Sequence, residues 1–255
     1  MGDALGVFST IFQPNQVCWT ALMLGYVENS QAETALHFFL LMQLEGCSPD
    51  VWTLVCVLKA CGSSVALRLG RILHEEITSL GFQFQGAVIS SLVDFYSRCG
   101  SMDEAELVFN SVSRKDAVTW SSLIAGYSRQ GDNDRVIQLF EKMCDEGVKP
   151  DGVTYVSVLA TCSRAGMIEQ GKKFFQEMTS RCGLDPGIEH YHCMIDMLGR
   201  AKQLEEALEM VEAMPFEATM VTWTSLLAAC SKWKNGRVEK IACDNVVSLL
   251  RKISP

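Results

Sequence analysis

The densest run of metal-ligating side chains in the sequence is His190-Tyr191-His192-Cys193. A nucleobase deaminase centred on zinc needs His-x-Glu with a later Pro-Cys-x-x-Cys, and neither pattern occurs. Tyr191 is expected at a buried anchor position, which leaves His190 and His192 for structural or outward-facing roles. Adjacent carboxylates stand at Asp103-Glu104 and Glu205-Glu206. Side chains one residue apart on a helix diverge by about 100°, so these pairs read as a solvated acidic face and not as an acid–base couple. Eleven cysteines are present without any Cys-x-x-Cys spacing, which argues against structural zinc. Most fall among apolar neighbours and read as small buried hydrophobes in a reducing compartment. Neither a Gly-x-Ser-x-Gly elbow nor a Walker-type phosphate loop is found. The expectation is no catalytic residue, no metal, no cofactor and no small-molecule substrate, with an enzyme the least favoured class.

The elements that position the polar residues come from a repeat. Trp19, Leu54, Ile89, Trp120, Tyr155, Tyr191 and Trp223 align at intervals of 35, 35, 31, 35, 36 and 32 residues. The same pattern surrounds them in QVCWTALMLGYV, AVTWSSLIAGYS, GVTYVSVLATCS and MVTWTSLLAACS. A second segment follows each, with apolar residues at helical spacing, as at Leu139, Phe140 and Met143. Gly46, Gly81, Gly147 and Gly183 close second segments, where a left-handed residue is needed. Gly100, Gly131 and Gly166 stand between paired segments, and Pro49-Asp50 and Pro150-Asp151 separate one repeat from the next. The unit is a helix–turn–helix hairpin. One hairpin cannot bury its apolar face alone, so consecutive hairpins must stack into an all-α solenoid.

The 255 residues are 48% hydrophobic and 20% charged, the composition of a folded globular chain. No positively charged start precedes an apolar run as a secretory signal requires. The uncharged stretch from Ala4 to Val27 is broken by Gln13-Pro14-Asn15-Gln16, so no membrane span is expected. The net charge of −8 disfavours a polyanionic partner until its distribution is read. The first fourteen residues of the seven repeats carry +2, and the remainder −10. Arg98, Arg129, Arg164, Arg200 and Lys232 each fall at the thirteenth position of their repeat. Equivalent positions of a solenoid line up, so these five predict a basic stripe suited to phosphates. The competing reading is that they complement the dipoles of the first helices at their C-termini.

These motifs resemble the pentatricopeptide repeat family, specifically its plant-organellar type with mixed repeat lengths and a C-terminal extension motif. Residues 16–50 and 117–151 resemble the 35-residue repeat, and 51–85 and 152–187 the longer type through VLKAC and VLATCSRAG. Residues 86–116 and 188–219 resemble the short and terminal short types, 220–255 the extension motif, and 1–15 the second helix of a partial repeat. Ser30, Val65 and Lys202 stand where the inter-helix glycine is expected. The resemblance implies an all-α, right-handed superhelical solenoid. It begins inside one repeat and stops after the extension motif, as expected of part of a longer protein.

The resemblance also implies a partner, single-stranded RNA, read one base per repeat. It carries base reading to the fifth residue of each first helix and the last residue of each repeat. Here these are Thr20 with Asp50, Val55 with Gln85, Ser90 with Asp116, Ser121 with Asp151, Val156 with Gly187, and His192 with Thr219. Thr/Asp and Ser/Asp pairs resemble the guanine-preferring combinations, whereas Val55 and Val156 cannot hydrogen-bond a base edge. Val17, Val118, Val153 and Val221 at the second position would sandwich bases, while Trp52, Ala87 and Glu189 depart from that pattern. By resemblance the chain selects sites for cytidine-to-uridine editing in a mitochondrion or chloroplast. A DYW-type deaminase would come from a partner or a C-terminal continuation, together with organellar editing cofactor proteins. The alternatives are RNA stabilisation or splicing, and a helical-repeat scaffold for a protein partner.

Overall fold

Helix starts are set by short polar side chains. Asn15, Asp50 and Asp151 each hold extended backbone and accept from the N–H three residues on, those of Cys18, Thr53 and Thr154. Asp116 accepts from Thr119 N–H in the same way. A cap of this kind satisfies a helix N–H that would otherwise lack a partner. The computed structural model describes residues 2–253, with side chains from 5 to 251, and every regular element among them is an α-helix. In order these are α1 (Gly2–Ser9), α2 (Gln16–Glu28), α3 (Ala32–Leu44), α4 (Val51–Ser63), α5 (Leu67–Ser79), α6 (Gly86–Arg98), α7 (Met102–Asn110) and α8 (Ala117–Gln130). They continue with α9 (Asn133–Asp145), α10 (Gly152–Ala165), α11 (Ile168–Ser180), α12 (Ile188–Arg200), α13 (Leu204–Glu212), α14 (Met220–Trp233) and α15 (Gly236–Ile253). None is long and apolar enough to cross a membrane.

Two compact units divide the chain at Gly126/Tyr127, inside α8. In the first unit α2, α4 and α6 lie side by side, and α3 and α5 each pack against their own first helix and the next one. The second unit repeats this: α10, α12 and α14 are neighbours, α11 bridges α10 to α12, and α13 bridges α12 to α14. Stacked hairpins are the result, the solenoid arrangement the periodicity requires. The anchors Trp19, Leu54, Ile89, Trp120, Tyr155 and Trp223 are buried. Each fully buried large apolar side chain contributes about 1.5–3 kcal/mol. Tyr191 departs from the expectation: it is half-buried, edge-on to Phe175 and Phe216. His190 beside it is the buried residue, its ring bonded at both nitrogens. Repeat 152–187 ends in Gly187, and Gly187 N–H donates to His190 Nδ1 at 3.0 Å while Nε2 meets Gly152 O at 2.9 Å.

The turn inside each hairpin requires one left-handed residue. Gly100, Gly131 and Gly166 supply it at φ 74, 81 and 70°. Ser30, Val65, Lys202 and Lys234 occupy the same place at φ 59, 54, 65 and 57°, so the turn is kept where the glycine is missing. Val65 is the costly member, since a β-branched side chain crowds its own backbone there. Lys234 separates α14 from α15, so residues 231–240 close a further hairpin around Trp223, Leu226, Cys230, Val238 and Ala242. Gly62 marks a close approach within the first unit: a Cβ there would meet Arg98 Cδ at 2.9 Å.

Candidate nucleic-acid interface

Several first helices begin with a capping side chain, which gives the last residue of the preceding repeat a structural duty. Asp50 Oδ1 accepts from Thr53 N–H and Thr53 Oγ1, both at 2.8 Å. Asp116 Oδ1 accepts from Thr119 N–H at 2.8 Å and Oγ1 at 2.6 Å. Asp151 Oδ1 accepts from Thr154 N–H at 2.8 Å and Oγ1 at 2.7 Å. Thr219 caps α14, meeting Thr222 N–H at 3.4 Å. The cap uses Oδ1 only, which leaves Oδ2 as the second acceptor of each aspartate. Gln85 is exposed and makes no side-chain cap, and Gly187 has no side chain to offer.

The fifth-position residues divide into two groups. Thr20 is half-buried, with Oγ1 2.8 Å from Thr53 Oγ1, so it is joined through Thr53 to Asp50. His192 is likewise half-buried, with Nε2 2.8 Å from Thr222 Oγ1, which lies 3.1 Å from Thr219 Oγ1. Ser90 and Ser121 instead are buried at 8% and 4% exposure. Ser90 Oγ donates to Gly86 O and Ala87 O, and Ser121 Oγ to Val118 O. Such bonds to carbonyls three or four residues back are the usual resort of a helical serine. Val55 and Val156 are half-buried.

At the second position the apolar side chains face solvent. Val17, Val118, Val153 and Val221 are 70, 53, 60 and 59% exposed, and Trp52 is 67% exposed at the equivalent place. In the first unit a groove of about 170 Å³ is lined by Val55, Lys59, Ser90, Ser91, Asp94, Val118 and Ser122. It therefore joins second- and fifth-position residues of the sequence reading to Lys59 and Asp94, one helical turn beyond the fifth position. Neither of these two is among the expected site residues, nor are the third-position threonines. The latter leave a legible trace in Asp50-x-x-Thr53, Asp116-x-x-Thr119, Asp151-x-x-Thr154 and Thr219-x-x-Thr222.

The thirteenth-position cations all occupy the last turn of a first helix. Arg98 Nε donates to Asp94 Oδ2 at 2.7 Å, and Arg200 Nε to Asp196 Oδ2 at 2.8 Å. Arg164 reaches back to α8, donating to Ser128 O at 2.7 Å and Ser128 Oγ at 2.8 Å. Lys232 is exposed, 4.9 Å from the Trp233 ring centre, and Arg129 is exposed. The charge of Arg98, Arg164 and Arg200 is thus already shared with protein acceptors.

Other candidates resolve into structure. Glu104 accepts from Arg71 Nε and Nη2 at 2.8 and 2.9 Å and from Ser101, bridging α7 to α5. Glu206 pairs with Lys172 at 2.7 Å and Glu205 with Arg237 at 3.2 Å. Asp103 and Glu205 are exposed, as a solvated face predicts, while Glu104 and Glu206 clamp neighbouring second helices. All eleven cysteines are free, but only Cys56, Cys61, Cys162 and Cys230 are fully buried, and Cys243 is exposed. Burial pushes the Cys56 thiol up to about 11 and Cys61 up to about 12, which keeps both protonated and unreactive. Among the described residues, no three His, Cys, Asp or Glu side chains gather as a metal site would require.

The PPR repeat family model matches residues 14–63 and 115–164, and the PPR repeat model matches 88–116, 153–182 and 189–216. The chain belongs to the PPR repeat family. Among curated Arabidopsis thaliana proteins it is 41% identical to pentatricopeptide repeat-containing protein CRR2, chloroplastic, over 88% of this chain and 34% of that protein. It is 37% identical to the mitochondrial pentatricopeptide repeat-containing protein At3g02330 over 92% of this chain and 26% of that one. The chain spans about a third or less of the length of these relatives. The pentatricopeptide repeat protein PPR10, solved in complex with an 18-nt psaJ RNA element, shares the fold at a TM-score of 0.76 and 21% identity, over 97% of this chain and 38% of that one.

Proposed function

We propose that this PPR chain binds single-stranded RNA through the N-terminal turns of its first helices, one base per repeat. The observation that carries this reading is the recurrence of a solvent-facing valine at one register position, Val17, Val118, Val153 and Val221, two residues beyond the capping residue of its helix. Burial does not explain an exposed apolar side chain repeated at one register, whereas a partner with flat apolar faces does, as nucleobases stacking on side chains do. Trp52 adds an aromatic face at the same register. The paired readers are Thr20/Asp50, Val55/Gln85, Ser90/Asp116, Ser121/Asp151, Val156/Gly187 and His192/Thr219, with guanine favoured by the three aspartate repeats. Arg98, Arg129, Arg164, Arg200 and Lys232 supply phosphate contacts, in part by exchanging their present acceptors for phosphate oxygens. The relatives named chloroplastic and mitochondrial support an organellar location. Within that setting the chain would select sites for cytidine-to-uridine editing, the deaminase acting from a partner or another part of the protein.

The test is equilibrium binding of fluorescent RNA oligomers carrying guanine at the first, third and fourth matched positions. Binding is expected, and it should weaken when those guanines are replaced by uracil. A protein-scaffold reading draws on Leu44 and Leu107, second-helix side chains that are 82% and 71% exposed. It takes precedence if no RNA binds at moderate salt.

A further inference from the structure

We infer that Thr53, which faces no base, fixes the hydrogen-bond polarity of the base-reading slot formed by Thr20 and Asp50. The inference rests on the RNA-binding reading and concerns how one slot discriminates. Thr53 is fully buried, at 0% exposure, so it acts only through its neighbours. Its hydroxyl oxygen lies 2.8 Å from Asp50 Oδ1 and 2.8 Å from Thr20 Oγ1. A carboxylate can only accept, and a hydroxyl has one proton. The Thr53 proton is therefore committed to Asp50, and Thr53 can only accept from Thr20. Thr20 spends its own proton in that bond and turns lone pairs alone to the slot. Asp50 contributes Oδ2, a second acceptor.

A slot with two acceptors selects an edge with two neighbouring donors. Guanine has one, in its N1–H and N2 amino group. Adenine and cytosine set a donor beside an acceptor, and uracil has a single N–H between two carbonyls. A Thr20 hydroxyl freed from Thr53 could donate instead, and the slot would then accept adenine or uracil as well. Thr53 is thus a positioning residue that converts an ambivalent hydroxyl into an obligate acceptor. The same third-position threonine stands between His192 and Thr219, where Thr222 Oγ1 meets both. Thr119 and Thr154 reach their aspartates, but Ser90 and Ser121 bond their own helices instead.

The experiment measures wild type, Thr53→Val and Thr53→Ser against RNA oligomers that differ only at the base facing this slot, with melting curves for each protein. Wild type should prefer guanine over adenine by about tenfold, the worth of one or two hydrogen bonds. Thr53→Val should bring that ratio to within about twofold while leaving preferences at the other positions unchanged, and Thr53→Ser should retain it. A merely structural threonine would move the melting curve and the overall affinity, not one position's ratio. Should Thr53→Val fail to fold, inosine in place of guanine on wild type serves, because inosine keeps N1–H and lacks the amino donor. It should bind several-fold more weakly. An unchanged ratio in Thr53→Val, or equal binding of inosine and guanine, overturns the inference while the RNA-binding reading stands. Wild type that binds no RNA overturns both.

Discussion

At the scale of single residues, capping and the proposed base reading fall on the same side chains. Asp50 satisfies the start of α4 with one oxygen and keeps the other, so its two roles can be separated by substitution. Asparagine caps as well as aspartate, whereas alanine removes the cap at a cost of about 1 kcal/mol. Asp50→Asn is therefore expected to leave the denaturation midpoint nearly unchanged while altering the preferred base, because an amide donates where a carboxylate cannot. Asp50→Ala should lower the midpoint as well. Chemical denaturation run beside RNA binding reads both, and a base preference untouched in Asp50→Asn would confine Asp50 to its cap. Glu104 offers a pH-dependent counterpart. Its hydrogen bonds from Arg71, with a further one from Ser101, hold its carboxyl below the ordinary value of 4.5, against the opposing effect of burial. Its stabilisation is present above that value and is lost as pH falls through the lowered one. Glu104→Gln should melt earlier than wild type at pH 7, with the difference closing as the pH drops below 4.5, in thermal scans across that range.

At the scale of the hairpin, the turn geometry outranks the residue found in it. Val65 holds φ 54° in the turn between α4 and α5, where other hairpins use glycine. Relieving a left-handed valine gains about 1–2 kcal/mol, and glycine returns part of that through the unfolded chain's freedom. Val65→Gly should raise stability by up to about 1 kcal/mol, as urea denaturation would measure. Gly70 is the opposite case: the Phe95 ring of α6 fills the space a Cβ would take on α5. Gly70→Ala should cost about 1–3 kcal/mol through overpacking, with a falling melting temperature as its sign. Clamps such as Arg71 to Glu104 and Lys172 to Glu206 join second helices of consecutive hairpins at matching places. Being half-exposed, each adds no more than about 1 kcal/mol.

At the scale of the molecule, the net charge of −8 hides an uneven distribution, with the first-helix segments carrying +2. Phosphate contacts by the thirteenth-position cations would appear as a log–log slope of binding against salt of about −0.7 for each phosphate neutralised. Asp94 and Asp196 hold two of those cations in ion pairs on the same helices. Asp94→Asn and Asp196→Asn should therefore tighten RNA binding and steepen the slope. A flat salt response in wild type would remove the stripe from the interface and leave the five cations as helix-terminal charges.

The architecture was readable in the chain itself, because a repeat writes each buried anchor several times. Trp19, Leu54, Ile89 and Trp120 recur at the helical-hairpin period, and the capping aspartates and closing glycines bracket the helices between them. One sequence cannot say which member of a motif is buried when two compete. His190 takes the buried place beside a half-buried Tyr191 because its ring bonds Gly187 N–H and Gly152 O, contacts that only packing reveals. Nor does spacing assign protons. That Thr53 links Thr20 to Asp50, while Ser90 and Ser121 turn onto their own backbones, is settled by distances across neighbouring hairpins. Periodicity determines which residues share a face; the close approach of two helices determines which of them bond.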